Sequence, residues 1–585
     1  MKAQRTVLLN YPPVSSVWHL PAGISLLTSV LRSRGHEVVQ RYGHIIGLEH
    51  LLSQHGGAAV DEALRTIRDP KTNIQEQYSA RQLIERVSRA VPTHDTFRVE
   101  RNNVLYIAER QDGTLEGLLE SLANRESSPW FSYLTQIELP LASDVQPEVY
   151  GISISDERQL FPGMVLASLV KEALPETLVV VGGNFWSRAV GAFAHPDFGK
   201  LFRHADAFVY REGFQPLEAL VETLDPRQAS GTAWFDGDQV RVNPPAPVAT
   251  QFEALPAPSF DGGAKQWAPD FVPQMYTMSN CLMQCGFCAI AAGSDTFLAA
   301  PRMISPAKIA DVMMQTGAAR FEIADEMFPI NRQLALGAEL KAGGYAATWN
   351  CYLTVTNDLL DPHRAEQLYE AGCRGVQLGL ESLSRDTLVR EHKGWNHPEN
   401  YARILENLAN AGIQTHVFLI VGIPGEPIET GLRWLPFLED NGQHILTIKQ
   451  SRYRLTKHSP EEMRGAHSEY IHAEPDDRLL LLNRNFQYLD PSCSRKRVEA
   501  VRDVLEQACR EHWAYALTST LPWWANRGRY SLNELRNLAG QIPPEPQIDH
   551  LPRAIAKMKG VLKEATGREY ALNAFSDLIA AARDL

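Results

Sequence analysis

The stretch Ser279-Asn-Cys-Leu-Met-Gln-Cys-Gly-Phe-Cys-Ala289 decides how this chain is read. It sets Cys281, Cys285 and Cys288 at the spacing C-x3-C-x2-C. Three thiolates on one short loop can bind three irons of a cubane cluster and leave the fourth iron open to a substrate atom. An open iron supports one-electron chemistry that side chains cannot perform alone. A structural zinc site needs four ligands, commonly as two close pairs. Cys351, Cys373, Cys493 and Cys509 stand singly, so no second pair exists. A disulfide framework belongs to short secreted chains, and residues 1–13 carry neither a long apolar core nor a cleavage signal.

Downstream of the cysteines the pattern alternates strand and helix. Six units are expected, with strands near 275–279, 321–325, 349–353, 376–380, 415–420 and 445–448. Ser305-Pro306 reads as a helix N-cap followed by proline at the first helical position. Gly372 and Gly412 read as helix stops. Reactive groups in βα barrels sit at the carboxyl ends of strands. Three polar motifs fall there: Asp325-Glu326, Gly379-Leu-Glu381-Ser382, and Gly422-Ile-Pro-Gly-Glu426. Lys393-Gly394 follows the second of them.

The cysteine loop, with the aromatic Phe287 just before its third cysteine, resembles the signature of the radical SAM superfamily. The G-x-E-S and G-I-P-G-E segments are similar to that family's strand-end motifs, and Lys393-Gly394 is another matching position of unknown role. The resemblance implies a partial (β/α)6 barrel. It implies a 4Fe–4S cluster on Cys281, Cys285 and Cys288, whose open iron chelates S-adenosylmethionine. Phe287, Asp325, Glu326, Glu381, Ser382 and Gly422 would then form the S-adenosylmethionine site, the two carboxylates of Asp325-Glu326 facing its ammonium. The family's Gly-Gly-Glu motif is absent in literal form, and Asp-Glu-x-Phe resembles the variant of its cobalamin-dependent members.

Upstream, residues 5–42 read as a βαβ opening: Val7-Leu8-Leu9, a helix with Ile24, Leu27 and Leu31 on one face, a stop at Gly35, then Val38-Val39. Residues 43–145 are polar and helix-patterned, a solvated decoration of the first domain or a lid. The α/β pattern resumes at Val149 with apolar strands at 149–153, 178–181 and 207–209, which implies a parallel, doubly wound sheet. Ligands of such sheets bind beyond the carboxyl ends of the strands. Ser153-Ile-Ser155 and Gly182-Gly183 there resemble the serine and Gly-Gly motifs of cobalamin-binding domains, although serine replaces the family's leucine. The family's D-x-H-x-x-G motif is missing, so no histidine from it would ligate cobalt. The implied cobalamin-binding positions are Pro12, Pro13, Ser153, Ser155, Gly182, Gly183, Asn184, Glu212 and Gly213.

The expected division is a Rossmann-like domain over 1–225 with its helical insertion at 43–145, a proline-dense linker over 226–274, the barrel over 275–478, and a mostly helical region over 479–585. In the last region Leu479–Leu482 and Cys509–Trp513 read as helices, and Trp523-Trp524 with Arg527 and Arg529 as core or a stacking platform. A net charge of −12 argues against a nucleic-acid surface, and no apolar run is long enough to span a membrane. A reduced cytoplasm fits free thiols and a labile cluster.

What the resemblance implies is a cobalamin-dependent radical SAM enzyme, a C-methyltransferase acting on a natural-product or peptide substrate. It would work through a 5′-deoxyadenosyl radical and methylcobalamin, with a flavodoxin- or ferredoxin-like electron donor. Radical cyclisation, rearrangement or oxidation without methyl transfer, and polar methyl transfer from cobalamin, stay open as alternatives. So does a non-catalytic cluster or cobalamin carrier.

Overall fold

The computed structural model describes residues 4–18, 20–91, 97–100, 103–106, 113–245, 252–261, 266–281, 283–290, 302–465, 469–475, 481–520, 529–544 and 546–585. The chain divides into two compact units. The first holds residues 1–280, 290–320 and 476–482, and the second 281–289, 321–475 and 483–585.

The first unit is built on a seven-stranded sheet. Its strands are β1 (Thr6–Asn10), β2 (Glu37–Arg41), β3 (Val149–Ser153), β4 (Leu178–Gly182), β5 (Ala207–Val209), β6 (Thr232–Phe235) and β7 (Val240–Val242). They lie in the order β2-β1-β3-β4-β5-β6-β7. β1 to β5 run parallel, and β6 and β7 are antiparallel additions at the edge. Val7, Leu8, Val149, Tyr150, Val179 and Val181 are fully buried, as expected of parallel strands covered on both faces. The order 2-1-3-4-5 reverses direction between β1 and β3, and the crevice at that switch point is where such sheets take ligands. The stretch expected as a linker from 226 therefore begins with two sheet strands, because Thr232 and Ala233 have an apolar edge at β5 to pair with.

The 43–145 insertion is more than a solvated decoration. Its helices at Gly43–Gly56, Ala58–Arg68 and Ile74–Ala90 bury Leu52, Val60, Ile67 and Ile84 completely. Arg81 is buried as well, its guanidinium 4.3 Å over the Trp18 ring and donating to the Trp267 carbonyl at 2.9 Å. Further on, Glu138 enters the sheet itself. It accepts from Asn10 Nδ2 at 2.7 Å, from Arg41 Nε at 2.9 Å and from the Tyr133 hydroxyl.

In the second unit the strands are β8 (Arg320–Ile323), β9 (Thr348–Leu353), β10 (Cys373–Glu381), β11 (Gln414–Val421) and β12 (Thr447–Arg452). They neighbour one another in that order, and β9 to β12 are parallel. Leu353, Leu378 and Val417 stand in one register row and are buried. One residue earlier, Tyr352, Gln377, His416 and Thr447 make the row on the opposite face. The strand expected at 445–448 starts two residues later, because Ile445 and Leu446 are spent as buried residues of the preceding turn. The segment expected as a strand at 275–279 holds two short ones, Gln274–Met275 and Met278–Ser279. Ser305 caps its helix by accepting the Lys308 amide at 3.2 Å, and Gly372 and Gly412 take positive φ where their helices stop.

Helices Arg495–Glu511, Leu551–Thr566 and Phe575–Ala582 fill out the C-terminal part. The Leu479–Leu482 run is corrected in part. Leu481 and Leu482 are a buried bend before a strand, not a helix, and 479–480 lie outside the described residues. Cys509 ends a helix, and Trp513 lies beyond it. Trp523, Trp524 and Arg527 also lie outside the described residues. Among the described residues no helix is long and apolar enough to cross a membrane.

Candidate functional site

The cysteine loop is seated by one residue between the second and third cysteines. Gly286 donates its amide to the Glu391 carbonyl at 2.9 Å, and its own carbonyl accepts the Glu461 amide at 3.0 Å. A Cβ added at Gly286 would lie 2.4 Å from Glu461 Oε1 and 2.7 Å from Glu391 Oε2. Both carboxylates belong to fully or almost fully buried side chains. The loop is thus clamped between two segments distant in sequence, and any side chain at 286 would have to displace the two carboxylates. Phe287 points from the loop into an apolar cluster of Ile423, Tyr453, Leu455 and Ile471.

Cys281, Cys285 and Cys288 form no disulfide and are partly exposed. The Met283 amide lies 3.4 Å from the Cys281 sulfur. Burial pushes the Cys281 and Cys285 thiols up to about 11. They therefore stay protonated until a metal takes the proton's place. Among the described residues no three metal-type side chains converge on a single-ion site. Three soft sulfurs on one short loop suit iron of a cluster, each sulfur to its own iron.

Charged groups that end or follow β8 and β10 gather near the loop. Lys393 pairs with Glu381 at 2.8 Å, and its ammonium is 5.9 Å from the centre of the Phe287 ring. Burial works to lower the Lys393 pKa, but Glu381 and Cys285 outweigh it and hold it above the ordinary lysine value. Glu381 has φ +64°, and the β10–β11 register slips between Gly379 and Glu381. This bulge re-aims the glutamate from the strand toward the loop. After β8, Asp325 is buried. Burial, helped by the charge of Asp325, pushes Glu326 up to about 7. Glu326 nevertheless meets solvent.

Ser382 is committed within the protein: its hydroxyl donates to Glu426 and accepts the Ser384 amide at 2.9 Å. Burial pushes Glu426 up to about 8, against the hydrogen bond from Ser382. Gly422 has φ +76°, and its carbonyl accepts from the Tyr488 hydroxyl at 2.6 Å. A Cβ there would sit 2.7 Å from that hydroxyl, so packing alone already demands glycine. Asn396 fastens the bulge, donating to the Gly379 carbonyl at 2.8 Å. Sequence reasoning passed over Glu391, Glu461 and Asn396, and named Glu426 only as the end of a motif, with no role of its own. Glu391 follows a short helix and Glu461 lies in the first turn of another, each in an ordinary charged segment that carries no signal. Glu426 closes a motif and was the one open to notice.

In the first unit the expected ligand positions fall at the carboxyl ends of β1, β3, β4 and β5. Gln159 ties the ends of β1 and β3, donating to the Pro12 carbonyl and accepting the Ser155 amide at 2.8 and 2.9 Å. Gly182 has room, a Cβ meeting only Val209, at 3.4 Å or more. Gly183 does not: at φ +103° a Cβ would lie 2.2 Å from the Ile154 carbonyl oxygen. Asn184 opens the short helix Asn184–Arg188 that follows. Glu212 is held by Arg302, and Gly213 is open, with Leu27 no nearer than 3.7 Å. Hydroxyls, amides and small residues suit a ligand gripped by hydrogen bonds and shape, and cobalamin's amide-rich ring and tail are of that kind.

Residues 275–435 match the model of the radical SAM superfamily. An uncharacterized methyltransferase of Pyrococcus horikoshii is 24% identical over 296 residues, covering 48% of this chain and 62% of that protein. Among solved structures, the radical S-adenosylmethionine methyltransferase TsrM of Kitasatospora setae, with tryptophan substrate and a SAM analog bound, superposes with a TM-score of 0.55. It is 14% identical, and the match covers 96% of this chain and all of that one. The cobalamin-dependent S-adenosylmethionine radical enzyme OxsB, with aqua-cobalamin and S-adenosylmethionine bound, also gives 0.55, at 13% identity over 99% of this chain and 78% of that one. At such identities the likeness is one of fold.

Proposed function

We propose that this chain, whose residues 275–435 are a radical SAM domain, is a cobalamin-dependent enzyme that methylates an unactivated carbon of a natural-product or peptide substrate. The clamped triad Cys281, Cys285, Cys288 beside the Lys393–Glu381 pair carries the reading. The order of the first unit's sheet and its TsrM- and OxsB-like fold support the second cofactor. Bound together, the cluster, S-adenosylmethionine and cobalamin supply hydrogen abstraction from carbon and a transferable methyl group.

The chain's own part is to bind, orient and exclude water. Cys281, Cys285 and Cys288 would hold the cluster, and the Gly286 clamp fixes their spacing. Glu326 and Asp325 offer negative charge to the ammonium of S-adenosylmethionine. Glu381, turned by its bulge, offers acceptors for hydroxyls or ammonium. Ser382 acts at one remove, steadying Glu426 and the turn after β10. Phe287 and the Gly422 strand end close the site with apolar packing. Pro12, Pro13, Ser153, Ser155, Gly182, Gly183, Asn184 and Gly213 would cradle cobalamin. Glu212 shapes that cradle through Arg302. The reductant would be a flavodoxin- or ferredoxin-like donor in a reduced cytoplasm.

Anaerobic reconstitution followed by iron, sulfide and cobalt counts and an ultraviolet–visible spectrum tests this. The reading expects four irons per chain, lost when the three cysteines become alanine, and one cobalt. Methylated product with S-adenosylhomocysteine and 5′-deoxyadenosine supports radical methylation. Iron binding that survives the triple substitution sinks the proposal.

A further inference from the structure

We propose that Lys393 is a positioning residue that fixes Glu381 and sets the potential at which a cluster on Cys281, Cys285 and Cys288 accepts its electron. The inference rests on the cluster reading above.

Three observations carry it. The Lys393–Glu381 pair occupies the space that a side chain at residue 379 would fill. A Cβ on Gly379 would lie 2.5 Å from Lys393 Nζ and 2.2 Å from Glu381 Oε1. The glycine is therefore what lets the pair lie flat against β10. The pair is also shielded, with side-chain exposures of 13% and 9%, so salt screens it little. Lastly, the ammonium faces the ring of Phe287, the residue next to Cys288. Among the groups that act on Cys281 and Cys285, Glu326 and Glu381 are acidic and Lys393 is the cation opposing them.

Reducing a cluster held by three thiolates adds one electron and one unit of negative charge, and no bond breaks. The electron comes from an external low-potential reductant such as dithionite. A fixed cation in a poorly screened site makes that added charge less costly. Removing it favours the oxidised form. Lysine and glutamate also hold each other: Asn396 fastens the backbone of the bulge, and the ammonium fixes the direction of the Glu381 carboxylate.

The test uses the full chain, reconstituted anaerobically as native, Lys393→Met and Lys393→Arg. Iron and sulfide are counted, and the cluster is titrated with dithionite while its reduced signal is followed by electron paramagnetic resonance. Lys393→Met is expected to keep its iron but hold about tenfold less reduced cluster at a given ambient potential, equal to about 59 mV for one electron. Lys393→Arg, which keeps the charge, is expected to restore the native midpoint. A Lys393→Met protein that titrates at the native potential overturns the inference. So does loss of iron from both variants, which makes the residue a packing element only. A native chain that takes up no iron is a different failure, that of the cluster reading itself.

Discussion

The hydroxyl of Ser382 donates its hydrogen to the carboxylate of Glu426, and both side chains are buried. Burial raises Glu426 to about 8, well above its value in an unfolded chain. Between those two values the folded protein binds the extra proton, so its stability falls as pH rises through the window and levels off above about 8. Glu426→Gln removes the titrating group. Thermal unfolding of the apoprotein from pH 5 to pH 8 is expected to show a shallower decline for the variant than for the native chain. Parallel profiles would mean that Glu426 is not the source.

Gly286→Ala places a methyl between Glu391 and Glu461. The expected result is a protein with native circular dichroism that loses most of its iron, since the clamp spaces the three sulfurs. Iron content and spectrum after reconstitution decide it. Full iron retention would show that the clamp yields.

Gly183→Ala combines a positive φ with a 2.2 Å approach to the Ile154 carbonyl. The backbone must move, at a cost of about 1–3 kcal/mol. The first unit should therefore melt earlier whether or not cobalamin is present. Native melting of the variant would show that the backbone yields at this point.

Glu138→Ala strands Arg41 and the amide of Asn10. Breaking a buried ionic network by removing one partner costs about 3 kcal/mol, and Arg41 keeps enough water contact to hold the figure at that low end. Denaturant unfolding of the full chain should show an earlier transition for the first unit alone. If both transitions are unmoved, the network is ornamental.

The α/β character was legible because buried parallel strands leave apolar runs such as Leu178–Val181, and the cysteine triad because its spacing is rare. Capping chemistry at Ser305, Gly372 and Gly412 read correctly for a local reason: a cap depends on neighbours within one turn. What escaped was set by distant partners. Nothing in Glu391 or Glu461 announces that two carboxylates will flank one glycine. The partnership of Ser382 with Glu426 likewise exists only because the fold brings them together. The edge strands at 232–242 were hidden by a composition rich in turn residues, and the insertion's polarity masked an apolar face that becomes a core only when three helices meet.

The Gly286 clamp also sets an order of events during synthesis. The cysteines emerge from the ribosome well before Glu391, and Glu461 appears later still. Until then the motif lacks the two hydrogen bonds that seat it. Cluster loading is therefore expected to follow the synthesis of Glu461 rather than to precede it.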